Sequence, residues 1–305
     1  MAVGKHFTIA VIGCGLIGAS WAALFTKAGG ARVIAWDPDE DARRSFPRRV
    51  ETAVRQLTEL GHTETGSVTL AASLAEAVSE ADWIQENAPE SIDTKIALYR
   101  EIELATPAAT ILAASTSSLL WSDLARDMIR PDRFLLAHPF NPPHLMPLVE
   151  LYAPNPALLD RADEFYRRLD RIPVRLKREA PGHIAGRLSS ALWREAVSIV
   201  AEGIADVADV DRALVHGPGL RWSVVGVHMG YHLGGGTGGI EHYLRHLGPS
   251  QERRWSTLGA PQLSPETCDK LIAGIEAEAA GRSVAELEAE RDRQLMAILR
   301  LRARP

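Results

Sequence analysis

The sequence predicts an α/β protein, with an N-terminal doubly wound, mostly parallel sheet followed by an all-helical C-terminal domain. Three observations lead there. The first 180 residues alternate short β-like apolar runs with helical stretches, as strands covered by helices on both faces do. A glycine-rich turn joins the first apolar run to the first helix. After Pro181-Gly182 the strand pattern stops and long helical segments take over.

The elements follow in order. Phe7–Ile12 reads as a buried strand, and Leu16–Ala28 as an apolar helix closed by Gly29-Gly30. Arg32–Trp36 is a second strand, before a polar helical region that reaches Leu60. Ala81–Gln85, Thr110–Ala114 and Phe134–Ala137 are further strands, with helical runs between the first two. Pro147–Tyr152 and Ile172–Leu176 add strands late, flanking a helix at Ala157–Leu169. Ile184–Glu202 reads as one long helix, and later helical segments are interrupted at Gly217-Pro218-Gly219 and Gly234-Gly235-Gly236. Ser264-Pro265 has the form of an N-cap with proline in the first helical position. Ser283-Val284-Ala285-Glu286 has the form of a capping box ahead of a charged amphipathic helix. The expected domains are residues 1–180 and 181–305.

Composition narrows the function classes. A chain of 305 residues suffices for two domains and a large core. A formal net charge of −5 gives no footing for nucleic acid or an anionic membrane. Two cysteines far apart, Cys14 and Cys268, do not make a disulfide framework, which fits a reducing cytoplasm. The first apolar run is too short to span a membrane or serve as a signal peptide.

The glycine turn carries the cofactor expectation. Gly13-Cys14-Gly15-Leu16-Ile17-Gly18 follows a strand and opens a helix. In such a Rossmann-type turn the first glycine permits the bend, the second lets backbone approach a pyrophosphate, and the third lets helix and strand pack closely. The helix start offers unpaired N–H groups and partial positive charge to the phosphates. Asp37 ends the second strand, 19 residues past Gly18. A carboxylate there accepts from ribose hydroxyls and repels a 2′-phosphate, so NAD is expected rather than NADP. Arg43 and Arg44 lie nearby, as phosphate contacts or as part of a solvated helix face.

Candidates for chemistry come from position. His138 follows the strand Phe134–Ala137, and ligands of open α/β sheets bind outside the carboxyl ends of strands. A histidine there can take a hydroxyl proton as hydride leaves the carbon. Glu150 is a carboxylate in the apolar run Leu148-Val149-Glu150-Leu151, costly to bury unless paired, and an imidazole is a natural partner. Ser117, in Ser115-Thr116-Ser117-Ser118, follows the strand Thr110–Ala114 and can hydrogen-bond the reacting oxygen. Position alone also fits a structural histidine and a serine run that serves as a turn or helix cap.

These stretches together resemble the 3-hydroxyacyl-CoA dehydrogenase family over nearly the whole chain. The resemblance rests on Gly13–Gly18, Glu86-Asn87-Ala88-Pro89-Glu90, Thr116-Ser117-Ser118-Leu119, His138-Pro139-Phe140-Asn141-Pro142 and Pro147-Leu148-Val149-Glu150. It implies that His138 is the base, that Glu150 orients it, and that Ser117 contacts the substrate oxygen and nicotinamide. It further implies that Glu90, Lys95 and Asn141 help hold NAD, and that the chain forms a homodimer through the helical domain. Within the family, Ala191–Ala196, Gly217–Ser223 and His242–Pro249 are most similar to the branch acting on free acids such as L-carnitine and L-gulonate. One departure stands out: Gly186 occupies the place where acyl-CoA members carry an asparagine. It offers no side chain to a substrate and costs about 1 kcal/mol in a helix interior.

The expected reaction is therefore NAD-dependent oxidation of the 3-hydroxyl of a small hydroxy acid, with L-carnitine first. L-gulonate, a 3-hydroxyacyl thioester and a ketoreductase of secondary metabolism are the related alternatives, and a crystallin-like NAD-binding structural protein is the non-enzymatic one. A trimethylammonium cannot donate hydrogen bonds, so aromatic faces or a carboxylate must meet it. Trp193, Trp222 and Tyr231 are candidates, with Glu195 nearby, and Arg221 suits a substrate carboxylate. Trp193 also fits a core stripe with Leu188, Leu192 and Val197. The pairs His228/His232 and His242/His246 have the spacing for a shared metal, but neither has the glutamate of an HExxH motif and glycines surround the first, so no metal is expected.

Overall fold

The computed structural model describes residues 7–302. Backbone contacts divide the chain into two compact units, Met1–Arg187 with Glu290–Pro305, and Leu188–Ala289.

In the first unit, strands and helices alternate: β1 (Thr8–Ile12), α1 (Leu16–Lys27), β2 (Arg32–Trp36), α2 (Glu40–Glu59), β3 (Ser67–Leu70), α3 (Leu74–Val78), β4 (Trp83–Glu86) and α4 (Ile92–Ala105). The chain continues through β5 (Ile111–Ala114), α5 (Trp121–Ala125), β6 (Phe134–Pro139), β7 (Leu148–Tyr152), α6 (Pro156–Arg167) and β8 (Ile172–Arg175). The strands form one sheet in the order β3-β2-β1-β4-β5-β6-β7-β8. All pairs are parallel except β6 with β7. The order reverses between β1 and β4, where such sheets open a crevice for a dinucleotide.

Burial explains the elements. β1, β4 and β5 are buried along their whole length, as parallel strands covered on both faces must be. On one face Trp83 stacks on Phe165 at 4.1 Å, and Trp21 on Phe25 at 5.3 Å. The first seats α6 against the sheet, and Phe25 of α1 meets the same Phe165 at 5.9 Å. The unforeseen elements are β3, α3 and α5. β3 is a four-residue edge strand with mostly exposed side chains, so it has no apolar run to announce it.

The remaining helices are α7 (Ala185–Ala201), α8 (Val207–His216), α9 (Pro218–Trp222), α10 (Val227–Gly234), α11 (Gly239–Trp255), α12 (Pro265–Ala279) and α13 (Val284–Arg302). Ser264 caps α12 by accepting from the Thr267 N–H. Ser283 and Glu286 close a reciprocal capping box on α13. Within the second unit, glycines let helices meet closely. A Cβ at Gly274 would stand 2.3 Å from Val207, and one at Gly259 1.7 Å from Ser198.

The chain past Glu290 groups with the first unit, where a helical domain running to residue 305 was expected. The cause is local: Met296 is buried, Gln56 donates to Asp292 at 3.0 Å, and Arg300 pairs with Glu59. Among the described residues, no helix is long and apolar enough to cross a membrane.

Candidate active site

The glycine turn has the shape its sequence demands. Gly13 has φ +99°, and a Cβ there would lie 2.7 Å from the Asn87 carbonyl oxygen. At Gly18 a Cβ would lie 1.9 Å from the Gly13 oxygen, so helix and turn touch. At Gly15 a Cβ would meet nothing within 4 Å. The start of α1 has no side-chain cap and no acidic residue in its first turn. Open space faces uncapped N–H groups at Leu16 and Ile17, which suits a pyrophosphate.

Asp37 braces this turn. One carboxylate oxygen accepts from the Cys14 N–H at 2.7 Å, and the other from the Asp39 N–H at 2.9 Å. Arg43 donates to the backbone carbonyls of Asp37 and Pro38, and Arg44 pairs with Glu40 and Asp41. Both arginines are thus engaged in the loop and helix face. The Cys14 thiol is pushed up to about 12 by burial and by the Asp37 carboxylate, so it stays protonated.

Beneath the turn lies a polar network that ties β1, β4 and β5. Asn87 donates to the carbonyls of Ile12 and Gln85 and accepts from Ser115 Oγ. Gln85 donates to the same Oγ and accepts from the buried Tyr166 hydroxyl. Sequence reasoning passed over Gln85 and Ser115. A glutamine inside one apolar strand and a serine just past the end of another were the available signal.

Lys95 is enclosed, 1% exposed. Its ammonium donates to Glu86 Oε1 at 2.6 Å and to the Ala88 carbonyl at 3.1 Å, and Tyr99 donates to the other Glu86 oxygen. In this arrangement Lys95 holds the Asn87–Glu90 loop rather than reaching out of it. Glu90, on that loop, gathers the serine segment. Its Oε1 accepts from Thr116 Oγ1 at 2.6 Å and from the backbone N–H groups of Ser117 and Ser118 at 2.8 Å each. Burial pushes the Glu90 carboxyl up, but these donors and Lys95 outweigh it and hold it below the usual range. Ser117 is exposed, with Oγ also within 3.2 Å of Glu90.

The antiparallel register of β6 and β7 sets His138 directly opposite Glu150, so their side chains share a face. His138 Nδ1 lies 2.9 Å from Glu150 Oε2. The other oxygen, Oε1, accepts from the N–H groups of Ile184 and Ala185 at 2.8 and 2.9 Å, at the start of α7. Glu150 is 1% exposed. Burial raises its carboxyl, yet the bonds from His138, Ala185 and Ile184 prevail and keep it below the ordinary glutamate range. An ionised carboxylate only accepts, so Nδ1 carries the hydrogen, and in the neutral ring Nε2 keeps its lone pair. Asn141 stands exposed just past β6.

A second histidine, not anticipated, sits beside the first. His183 is 3% exposed, and its ring centroid lies 5.1 Å from that of His138. Its only signal in the sequence is its place one residue past Pro181-Gly182, where the strand pattern ends. At Gly186, three residues on, a Cβ would meet nothing within 4 Å.

The other candidates lie in the second unit. Trp193 and Trp222 expose 56% and 40% of their surface. Leu188 and Leu192 are exposed with Trp193, and only Val197 of that stripe is buried, so the stripe is not a core face of this chain. Tyr231 packs on Tyr243 with centroids 5.0 Å apart. Glu195 is occupied, accepting from the Gly259 N–H. His242 and His246 stack at 4.1 Å, and His232 accepts from the Ile240 N–H. Among the described residues, no three metal-ligating side chains converge.

Comparison with known proteins gives the family. Residues 8–180 match the 3-hydroxyacyl-CoA dehydrogenase NAD binding domain, and residues 182–264 its C-terminal domain. The L-carnitine dehydrogenase of Nocardiopsis dassonvillei is 44% identical, over 96% of this chain and 91% of its own length. That of Streptomyces griseus subsp. griseus is 43% identical, over 97% and 90%. Among solved structures, the NAD+-dependent dismutase 5-formyl-3-hydroxy-2-methylpyridine 4-carboxylic acid 5-dehydrogenase superposes with TM-score 0.79 at 26% identity, covering 96% of this chain and 97% of that one. A diketoreductase superposes with TM-score 0.63 at 26% identity, covering 84% and 96%. The chain is an NAD-dependent oxidoreductase and belongs to the 3-hydroxyacyl-CoA dehydrogenase family.

Proposed function

We propose that the protein oxidises the 3-hydroxyl of a small free hydroxy acid, L-carnitine first, with His138 as the base. The supporting observation is the His138–Glu150 pair at the carboxyl edge of the sheet. Its likeness to named L-carnitine dehydrogenases selects the substrate to test. Bound NAD supplies the hydride acceptor. Gly13, Gly15, Leu16, Ile17 and Gly18 seat its pyrophosphate, and Asp37 meets the adenosine ribose.

His138 Nε2 takes the hydroxyl proton while the C3 hydride departs, and the imidazolium that forms is balanced by Glu150. Ser117 donates to the substrate oxygen as it becomes a carbonyl. Glu90 holds the loop that presents this hydroxyl, and Lys95 holds the loop that carries Glu90. Asn141 contacts the nicotinamide side. Trp193 and Trp222 offer aromatic faces to the trimethylammonium, and Arg221 offers a guanidinium to the carboxylate. The space at Gly186 admits the substituent at C4.

The domain assignment 1–180 and 181–305 is kept as a functional division into cofactor-binding and substrate parts. The helical part also suits pairing with a second copy of the chain. Leu188, Leu220, Val224, Leu233, Leu244 and Trp255 are each between 59% and 83% exposed, apolar side chains that a second copy would cover. Both cysteines are free, in keeping with a reducing cytoplasm.

The test is a substrate panel with NAD and NADP, followed by NADH absorbance. L-carnitine with NAD is expected to turn over, and L-gulonate and 3-hydroxybutyryl-CoA to be poor. Absence of L-carnitine turnover at any concentration, with a different 3-hydroxy acid oxidised instead, overturns the substrate assignment. Sedimentation at micromolar concentration checks the dimer, and a monomer would refute it.

A further inference from the structure

His183 joins two parts of the site that come from distant stretches of chain. Its Nε2 lies 3.0 Å from the Thr116 carbonyl oxygen. A carbonyl only accepts, so Nε2 carries the hydrogen. Thr116 opens the serine segment that Glu90 holds from the other side. The residues after His183 are Ile184 and Ala185, whose N–H groups hold Glu150, the partner of His138. His183 itself is left-handed at φ +51°, next to Gly182 at φ +75°. That conformation is strained for a residue with a side chain. It persists because it is tied at several points: the His183 N–H to the Ala180 carbonyl, the ring to Thr116, and the two following amides to Glu150.

We propose that His183 is a positioning residue that locks the Ser117 loop to the His138–Glu150 pair, so that proton acceptor and oxygen-binding hydroxyl keep one spacing. The proposal rests on the roles given above to His138 and Ser117. Without the tie, the serine loop is still held by Glu90 and the base by Glu150, but nothing on His183 links the one to the other. Misplacement of a reacting group by about 1 Å can cost on the order of 100-fold in rate.

The tie survives protonation, because Nε2–H donates in either state, but the reaction favours a neutral ring. Burial lowers the proton affinity of His183, opposed by its bond to the Thr116 carbonyl. The charged or titratable groups that face it are His138 on β6, Glu150 on β7 and Glu90 on the loop after β4. A charged His183 would set a second cation 5.1 Å from the ring that must accept the substrate proton, and so oppose the reaction in acid.

Two variants separate this role from simple packing. His183→Gln keeps an amide N–H where Nε2 stands and cannot titrate. His183→Leu fills the space without a donor. With the substrate the wild type turns over, His183→Leu is expected to lower kcat about 10- to 100-fold while NAD binding, read by fluorescence titration, changes less than about two-fold. His183→Gln is expected to regain most of kcat and to flatten the acid limb of kcat/KM from two protons to one. Equal kcat in the two variants, or a loss of NAD affinity matching the loss of kcat, would overturn the proposal. If no substrate of the panel is turned over, the functional assignment fails, yet the tie is still measurable. Amide hydrogen exchange at residues 116–118 should then quicken in His183→Leu and not in His183→Gln, and equal exchange in both would refute it.

Discussion

Glu150 divides its two oxygens between His138 and the start of α7. Oε2 meets His138 Nδ1 at 2.9 Å, and Oε1 receives the amides of Ile184 and Ala185. One buried carboxylate thus orients the base and anchors the turn where the helical segments begin. Orienting the base needs the ionised form, and the bonds from His138, Ala185 and Ile184 together hold it ionised.

Glu150→Gln therefore has a specific consequence. The amide oxygen can still accept from Ile184 and Ala185, but the amide nitrogen then faces His138 Nδ1 and donates to it. His138 is driven to the tautomer with hydrogen on Nε2, which cannot take a proton. We expect kcat to fall about 10²- to 10⁴-fold with NAD affinity retained. Activity within a few-fold of wild type would show that Glu150 does not set the tautomer.

Two glycines of the same turn should behave oppositely. Gly18→Ala forces a methyl into the Gly13 carbonyl, 1.9 Å away, and should cost about 1–3 kcal/mol of stability through overpacking. Gly15→Val meets open space and should leave the melting temperature nearly unchanged, yet weaken NAD binding by at least about ten-fold because it fills the pyrophosphate site. Thermal melts and NAD titration of the pair check this. A Gly15→Val protein that binds NAD normally would place the cofactor elsewhere.

Asp37→Ser removes the acceptor of the Cys14 and Asp39 amides and the negative charge that repels a 2′-phosphate. The ratio of kcat/KM for NAD over NADP should fall by at least about ten-fold, equivalent to about 1.4 kcal/mol. An unchanged ratio would remove Asp37 from cofactor selection.

His144 predicts a stability change with pH. It is buried, bonded to Ser20 and Gln56, and burial lowers it to about 4. The folded state thus binds fewer protons than the unfolded chain between about pH 6.5 and 4. Stability is full above that window and is lost as pH falls through it, by about 3 kcal/mol at most from this group. His183 acts in the same direction. Glu150 adds a loss at lower pH, because a depressed carboxylate stabilises only while ionised. Melting temperature followed from pH 7 to pH 4 should fall more steeply in the wild type than in His144→Asn. Parallel curves would contradict the assignment.

The glycine turn, Asp37, and the strands carrying His138 and Glu150 were legible because each is local: an apolar run, a break, a residue type at a fixed offset. The family resemblance supplied the roles. The pairing of His138 with Glu150 was suggested by the cost of burying a carboxylate and settled by the β6–β7 register. What escaped was non-local. Gln85, Ser115 and Asn87 form a network only because β4 and β5 are neighbours. Lys95 was expected to help hold NAD, yet its ammonium is enclosed by Glu86 and the Ala88 carbonyl, partners that only the folded loop brings to it. His183 gained meaning only when the turn after Gly182 folded back onto Thr116.

The central claim is that His138 Nε2 accepts the substrate proton. It is tested most directly by the pH dependence of kcat/KM for L-carnitine in wild type and His138→Asn at saturating NAD. The account predicts an acid limb in the wild type that is absent in the variant, with kcat lowered about 10²- to 10⁴-fold and NAD affinity intact. An unchanged rate and profile in His138→Asn would contradict it.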